Sequence, residues 1–253
     1  MTRLRFALKA GALHLLASAV VATAAALVVF LVWYPSPYSE VAGGFGLFAL
    51  LMSVDVVMGP TLTALVASPR KPKGELGRDI ALIVALQLGA FAYGMNVIAQ
   101  ARPVFLSFEI DRMRVVTAAD IEPKALATAP IEWQHLPWDG PKLIAAVKAT
   151  NNADMLKSVA SALGGSDIST QPAHWRTFAS QQDAAWRAAR PIATLLARYP
   201  EAAERIEALA RTAGQPTSQL RWMPLLSRRA SWVVLVAAPT GKPVGYLALD
   251  GFF

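Results

Sequence analysis

Three long runs that almost lack charge restrict this 253-residue chain more than anything else in it. Ala10 to Ser39 holds no Lys, Arg, Asp or Glu, Val41 to Pro69 holds only Asp55, and Ile80 to Ala101 holds none. A helix rises about 1.5 Å per residue, so about 20 apolar residues cross the hydrocarbon of a bilayer. Each run is long enough, which predicts transmembrane helices at 13–33, 45–66 and 80–99, joined by short connectors at 34–44 and 67–79. Trp33, Tyr34 and Tyr38, mixed with Pro35 and Pro37, read as an aromatic belt ending the first span. Small residues within that span resemble a signal-peptide cleavage site, but the apolar run continues beyond them through LVVFLVW, so the span is expected to remain as an anchor.

Charge then separates two halves. Residues 1–103 carry 8 Lys/Arg and 4 Asp/Glu, whereas residues 104–253 carry 16 and 13, the density of an ordinary soluble domain. Orientation follows from the short segments. Residues 1–12 hold Arg3, Arg5 and Lys9, and 67–79 hold Arg70, Lys71, Lys73 and Arg78, while 34–44 hold no Lys or Arg. The N-terminus and the second connector are therefore expected in the cytoplasm, and 34–44 and 104–253 in the periplasm. The net charge of +7 reports this topology. Its basic residues are scattered, without the aromatic-interleaved patch of a nucleic-acid surface, so the lipid bilayer is an expected partner and nucleic acid is not.

Asp55 is the one acidic residue inside a span, and a charged Asp at a helix centre costs on the order of 2.5–3.5 kcal/mol on insertion scales. Two readings stay open: a partner-recognition or proton-linked site, or a protonated or Gln87-bonded carboxyl that locks the second span to the third. Pro60 lacks a backbone donor and is expected to kink the helix near Asp55. Mid-span, no second ionisable group is read as a relay partner. Small residues four apart, Ala85 with Gly89 and Ala90 with Gly94, suit close helix packing.

Beyond Arg102-Pro103, VFLSFEIDRMRVVTA alternates around a turn at Ile110–Arg112, predicting paired strands. SWVVLVAA and VGYLALD flank PTGKP as a hairpin, with 219–226 as a third strand beside it. Helices are predicted near 140–149, 151–163, 178–198 (kinked or split by Pro191) and 200–213, with Gly164-Gly165 as a helix-ending turn. The expected fold class is a membrane protein with three N-terminal transmembrane helices followed by an α+β periplasmic domain at 104–253, its sheet built from both ends of that segment. Catalytic signatures do not emerge. The chain has no cysteine, no GxSxG and no Walker A, and its three histidines lack metal-ligand spacing, so no catalytic, metal or cofactor-binding residue is assigned and no enzyme activity is expected. Glu109 and Asp111 would share one strand face, with Asp111-Arg112 shaping a turn rather than an acid–base pair. Six of the seven tryptophans fall in this half, as core or as anchors for a protein partner.

Several local motifs carry a resemblance. Ser53-Val54-Asp55, Gly59-Pro60, Pro69-Arg70-Lys71, Glu75-Leu76, Arg78-Asp79, Gln87, Tyr93-Gly94, Gln100-Ala101-Arg102-Pro103 and Phe108-Glu109-Ile110-Asp111-Arg112 together resemble the TfpX/TfpZ family of type IV pilin accessory proteins. The resemblance implies an inner-membrane protein of Gram-negative bacteria that stabilises a cognate major type IV pilin and promotes its assembly into pili, as a chaperone-like, non-catalytic accessory. It marks Asp55, Gly59, Pro60, Gln87, Arg102, Pro103, Glu109, Asp111 and Arg112 as candidate partner-contact or structural residues. The competing reading is a membrane-anchored periplasmic sensor or a transporter-associated subunit. A sensor needs a cytoplasmic output domain and a transporter needs polar lining in several spans.

Overall fold

With few charged side chains to interrupt them, the apolar runs fold into three long helices in the computed structural model, which describes residues 2–148 and 167–253. Helix α1, Arg3–Leu27, continues through a wide π-type turn, Val28–Trp33, closed where the Tyr34 amide donates to the Val29 carbonyl at 2.7 Å. A short α2, Tyr38–Val41, leads into α3, Gly44–Val66, and α4, Lys73–Ala101. The three long helices have the length and hydropathy to cross a membrane. Both α1 and α4 begin ahead of the charge-free runs, taking in Arg3, Arg5 and Lys9, or Lys73 to Asp79.

Both α1 and α4 pack on α3. The buried residues of α1, Gly11, Ser18 and Ala25, recur every seven positions, and Asp55, Gly59 and Thr63 of α3 recur every four, so each set lies along one helix face. A Cβ on Gly11 would lie 3.1 Å from the Ala64 Cβ, which shows how closely α1 approaches α3. Helix α3 continues through Pro60 as one element. On α4, a Cβ at Gly94 would strike Leu51 at 2.3 Å, whereas one at Gly89 meets nothing within 4 Å. Of the two glycines in these small-residue pairs, only Gly94 thus lies at a helix contact. Tyr34 also departs from the expected aromatic belt. It is fully buried with Val29 and Ile98, its hydroxyl donates to the Ile98 carbonyl at 3.0 Å, and its ring occupies the space left by the missing side chain of Gly44.

Residues Arg102–Phe253 form a second compact unit. Strands β1, Pro103–Glu109, and β2, Arg112–Thr117, make the predicted hairpin, turning at Ile110 with φ 57°. Strand β3, Lys142–Ala146, runs parallel to β1, and β4, Trp175–Thr177, runs antiparallel to β3. The other side is β6, Leu220–Leu226, β7, Ser231–Ala237, and β8, Lys242–Leu247, an antiparallel meander joined to β2 by parallel β2–β6 pairing. The order is β4-β3-β1-β2-β6-β7-β8, with β5, Arg190–Pro191, attached to β6. Helices α5, Gln182–Ala188, α6, Ile192–Arg198, and α7, Ala203–Thr212, complete the described part. Leu195 of α6 and Ile206 of α7 pack with Trp222, Val233 and Leu235, and a second core joins Phe105, Ile144 and Trp175. Three long apolar helices followed by a mixed sheet and helices make this a membrane-anchored α+β protein.

One predicted helix becomes a strand, and another divides at Pro191 as the sequence predicts. The segment near 140–149 contains strand β3, because Ile144, Ala145 and Ala146 are buried beside β1 and the ladder outweighs the helical preference of Ala and Lys. The segment 178–198 is split. Pro191 disfavours helical backbone at Arg190, and both residues pair with β6 between α5 and α6. The helix predicted at 151–163 and the Gly164-Gly165 turn lie outside the described residues.

Candidate functional site

Three helices converge on one carboxamide. Gln87 of α4 donates from Nε2 to the Ser18 hydroxyl of α1 at 3.2 Å and to the Asp55 backbone carbonyl of α3 at 3.0 Å. Its Oε1, an acceptor only, faces His14 Nε2 at 2.8 Å, so that ring nitrogen is the donor. His14 Nδ1 lies 2.6 Å from the Thr63 hydroxyl of α3. In the neutral ring Nδ1 accepts from Thr63, and the network runs Thr63 to His14 to Gln87, then on to Ser18 and the α3 backbone. Apolar surroundings give such bonds no competition from water, so the network orients the three helices about a fixed register.

Gly59 sits against the carboxamide. A Cβ there would fall 2.1 Å from Gln87 Oε1, so glycine is what lets the carboxamide lie flat on α3. The α3 positions 55, 59 and 63 thereby contribute a carbonyl, a gap and a hydroxyl to one face. Pro60 lies beside this face, and its carbonyl oxygen would be 3.2 Å from a Cβ on Gly11.

The Asp55 carboxyl is separate from the network. Gln87 binds the Asp55 backbone, which differs from the expected side-chain lock. Asp55 is 7% exposed, and it borders a cavity of about 350 Å³ among α1, α3 and α4. Leu13, Val21, Met52, Val84, Leu88 and Phe91 supply apolar wall, and His14, Ser18, Thr63 and Gln87 supply the polar side. Among the described residues no hydrogen bond or ion pair reaches the Asp55 carboxyl.

Asp55, Gly59, Pro60 and Gln87 therefore come together in the first unit, while Arg102, Pro103, Glu109, Asp111 and Arg112 belong to the second. Within that unit they occupy two ends of β1. Arg102 is buried, its guanidinium 3.8 Å from the centre of the Trp138 ring and its Nε donating to the Pro137 carbonyl at 3.3 Å. Pro103 opens β1 opposite Thr117. At the far end, buried Glu109 accepts a 2.6 Å hydrogen bond from Ser169, whose carbonyl accepts from the Trp175 indole at 2.9 Å. Asp111 lies in the turn, paired with Arg112 at 3.0 Å, so it does not share a strand face with Glu109. Sequence reasoning missed His14, Ser18 and Thr63. Their signal was polar side chains at helical spacing within apolar runs, His14 with Ser18 and Asp55 with Thr63.

Comparison with known proteins adds a lineage to this geometry. The profile of the family described as "Fimbrial assembly protein FimB" matches residues 2–43, which include His14 and Ser18. The "Fimbrial assembly protein, serogroup I" of Dichelobacter nodosus is 35% identical over 236 residues, 92% of each chain. The serogroup E1 protein of that organism is 35% identical over 237 residues, again 92% of each. Its serogroup C1 and C2 relative is 44% identical over 119 residues, 47% of this chain and 91% of its own. No solved structure matches the chain.

Proposed function

The chain belongs to the fimbrial assembly protein family, and from that premise we propose that it is an inner-membrane accessory protein that stabilises a cognate major type IV pilin and promotes its assembly into pili. The observation that carries this reading is the 35% identity, over 92% of both chains, to a relative named as a fimbrial assembly protein. The residues that resemble the TfpX/TfpZ pilin accessory proteins support the finer statement, that the client is a pilin. That relatives are distinguished by serogroup fits a factor matched to one variant of the fimbrial subunit. Basic residues at the N-terminus and in 67–79 support a cytoplasmic N-terminus, with the second unit in the periplasm. A client with an apolar membrane segment and an external head would then find helices for the first and an α+β unit for the second.

The role is binding rather than turnover, so each copy serves one client at a time and the effect scales with the amount of protein. Deletion of the gene tests it. The cognate pilin, or its assembly, should fall while general secretion stays intact, and detergent-solubilised protein should co-purify with that pilin. Normal pilin levels and normal pili in a clean deletion, with no related gene present, would defeat the proposal.

A further inference from the structure

The carboxyl of Asp55 is enclosed by the membrane-spanning helices yet unpaired among the described residues, and it borders an apolar cavity of about 350 Å³. His14, the other ionisable side chain of that cavity, does not serve it, since both ring nitrogens are engaged by Thr63 and Gln87. Nor does Gln87, whose amide is spent on Ser18 and the Asp55 backbone. Neither Lys nor Arg lines the cavity. An acidic group in such surroundings is poorly solvated and gains most from a cation that arrives with its own apolar cover.

We propose that this cavity is a binding site for a membrane-embedded segment of a protein partner that carries one cationic group, with Asp55 as the counter-charge. Depth selects a protein over a lipid. Asp55 is eleven residues from either end of α3, Gly44–Val66. At 1.5 Å per residue that is about 16 Å from each end, whereas a lipid ammonium lies at the headgroup level. A side chain or terminal amine on a membrane-crossing segment reaches this depth. The inference rests on the proposed function only for whose segment it is; the chemistry of the cavity stands without it.

The test uses the full chain purified into nanodiscs of zwitterionic lipid, with a membrane-crossing leucine-rich peptide carrying one mid-span lysine as probe and the same peptide with norleucine or glutamate at that position as controls. The lysine peptide should bind about tenfold more tightly than the norleucine peptide, the increment of one charge-assisted hydrogen bond. Asp55→Asn should abolish the difference, and Asp55→Glu should keep it. Ala17→Phe, which fills the cavity from α1, should weaken the lysine and norleucine peptides alike and serves if the Asp55 variants fail to fold. Equal binding of the lysine and norleucine peptides, a preference for the glutamate peptide, or an undiminished lysine preference in Asp55→Asn would each overturn the proposal. Since no pilin enters this assay, its failure leaves the accessory role standing, and a normal deletion phenotype leaves the cavity chemistry standing.

Discussion

Gln87 and Gly59 are a single device written in two helices. The carboxamide makes three hydrogen bonds, and the missing side chain of Gly59 makes room for it. Gln87→Leu leaves His14 and Ser18 without that partner, and should destabilise the protein by about 1–3 kcal/mol in detergent unfolding, the lower end reflecting how weak such bonds often prove between membrane helices. Gly59→Ala should cost a similar amount, because its Cβ collides with Oε1. In a Gln87→Ala background most of that cost should vanish, since the atom it strikes is gone. Strictly additive losses would show that the two residues do not meet. The motif residues Asp55, Gly59 and Gln87 were legible as a set, but the network that joins them was not. His14 is neutral in a charge count and passed as one more residue of an apolar run. Ser18 and Thr63 gain meaning only from the face they share with it, and which faces meet depends on helix neighbours that no single run of sequence contains.

Elements whose character is local were legible, and those whose character comes from neighbours were not. The β7–β8 hairpin announces itself by apolar strands around a Pro- and Gly-containing turn, although the register shift between Leu235 and Val236 does not show in that pattern. Strand β3 has the composition of a helix and becomes a strand through its parallel seat beside β1, to which no residue of 140–149 points by itself. The connector between α3 and α4 is local in another way. Lys71 donates to Asp79 and pairs with Glu75 at 3.5 Å, tying the connector to the first turns of α4. The hydrogen bond to Asp79 holds the Lys71 ammonium above its ordinary value, with the charges of Asp79 and Glu75 adding to it. A folded-state value raised above the unfolded one means that this stabilisation is complete below about pH 10.4 and is lost as pH climbs through the higher folded value. The stability difference between wild type and Lys71→Met should thus be flat across neutral pH and shrink only at the alkaline end. Thermal unfolding of both proteins over that range checks it, and a difference that shrinks between pH 6 and 8 would assign the effect to another group.

At the scale of the whole chain, two units of different solvent preference, Met1–Ala101 and Arg102–Phe253, turn questions of topology and of specificity into separable experiments. A reporter active only in the periplasm should work when fused after Phe253 and fail at Gly74, since Arg70, Lys71, Lys73 and Arg78 crowd the segment 67–79, in which Gly74 lies in the first turn of α4. The reverse pattern would place the second unit in the cytoplasm and remove it from any contact with an exported head. Specificity is then read by exchange. If the α+β unit recognises the client's head, replacing Arg102–Phe253 by the corresponding part of a relative matched to another pilin should transfer support to that pilin. If the spans recognise it, the chimera should keep its original client, and Asp55→Leu should lower pilin levels although it removes a charge from the membrane and so favours insertion. Hydrogen bonding alone is not enough in that case, and Asp55→Asn should restore support only in part. Either of these outcomes assigns recognition to one unit through the amount of each pilin in the cell, with the level of the chimera itself as the control for folding. A chimera present at normal level that supports neither pilin would show that the two units must come from one protein, and recognition would then belong to the pair.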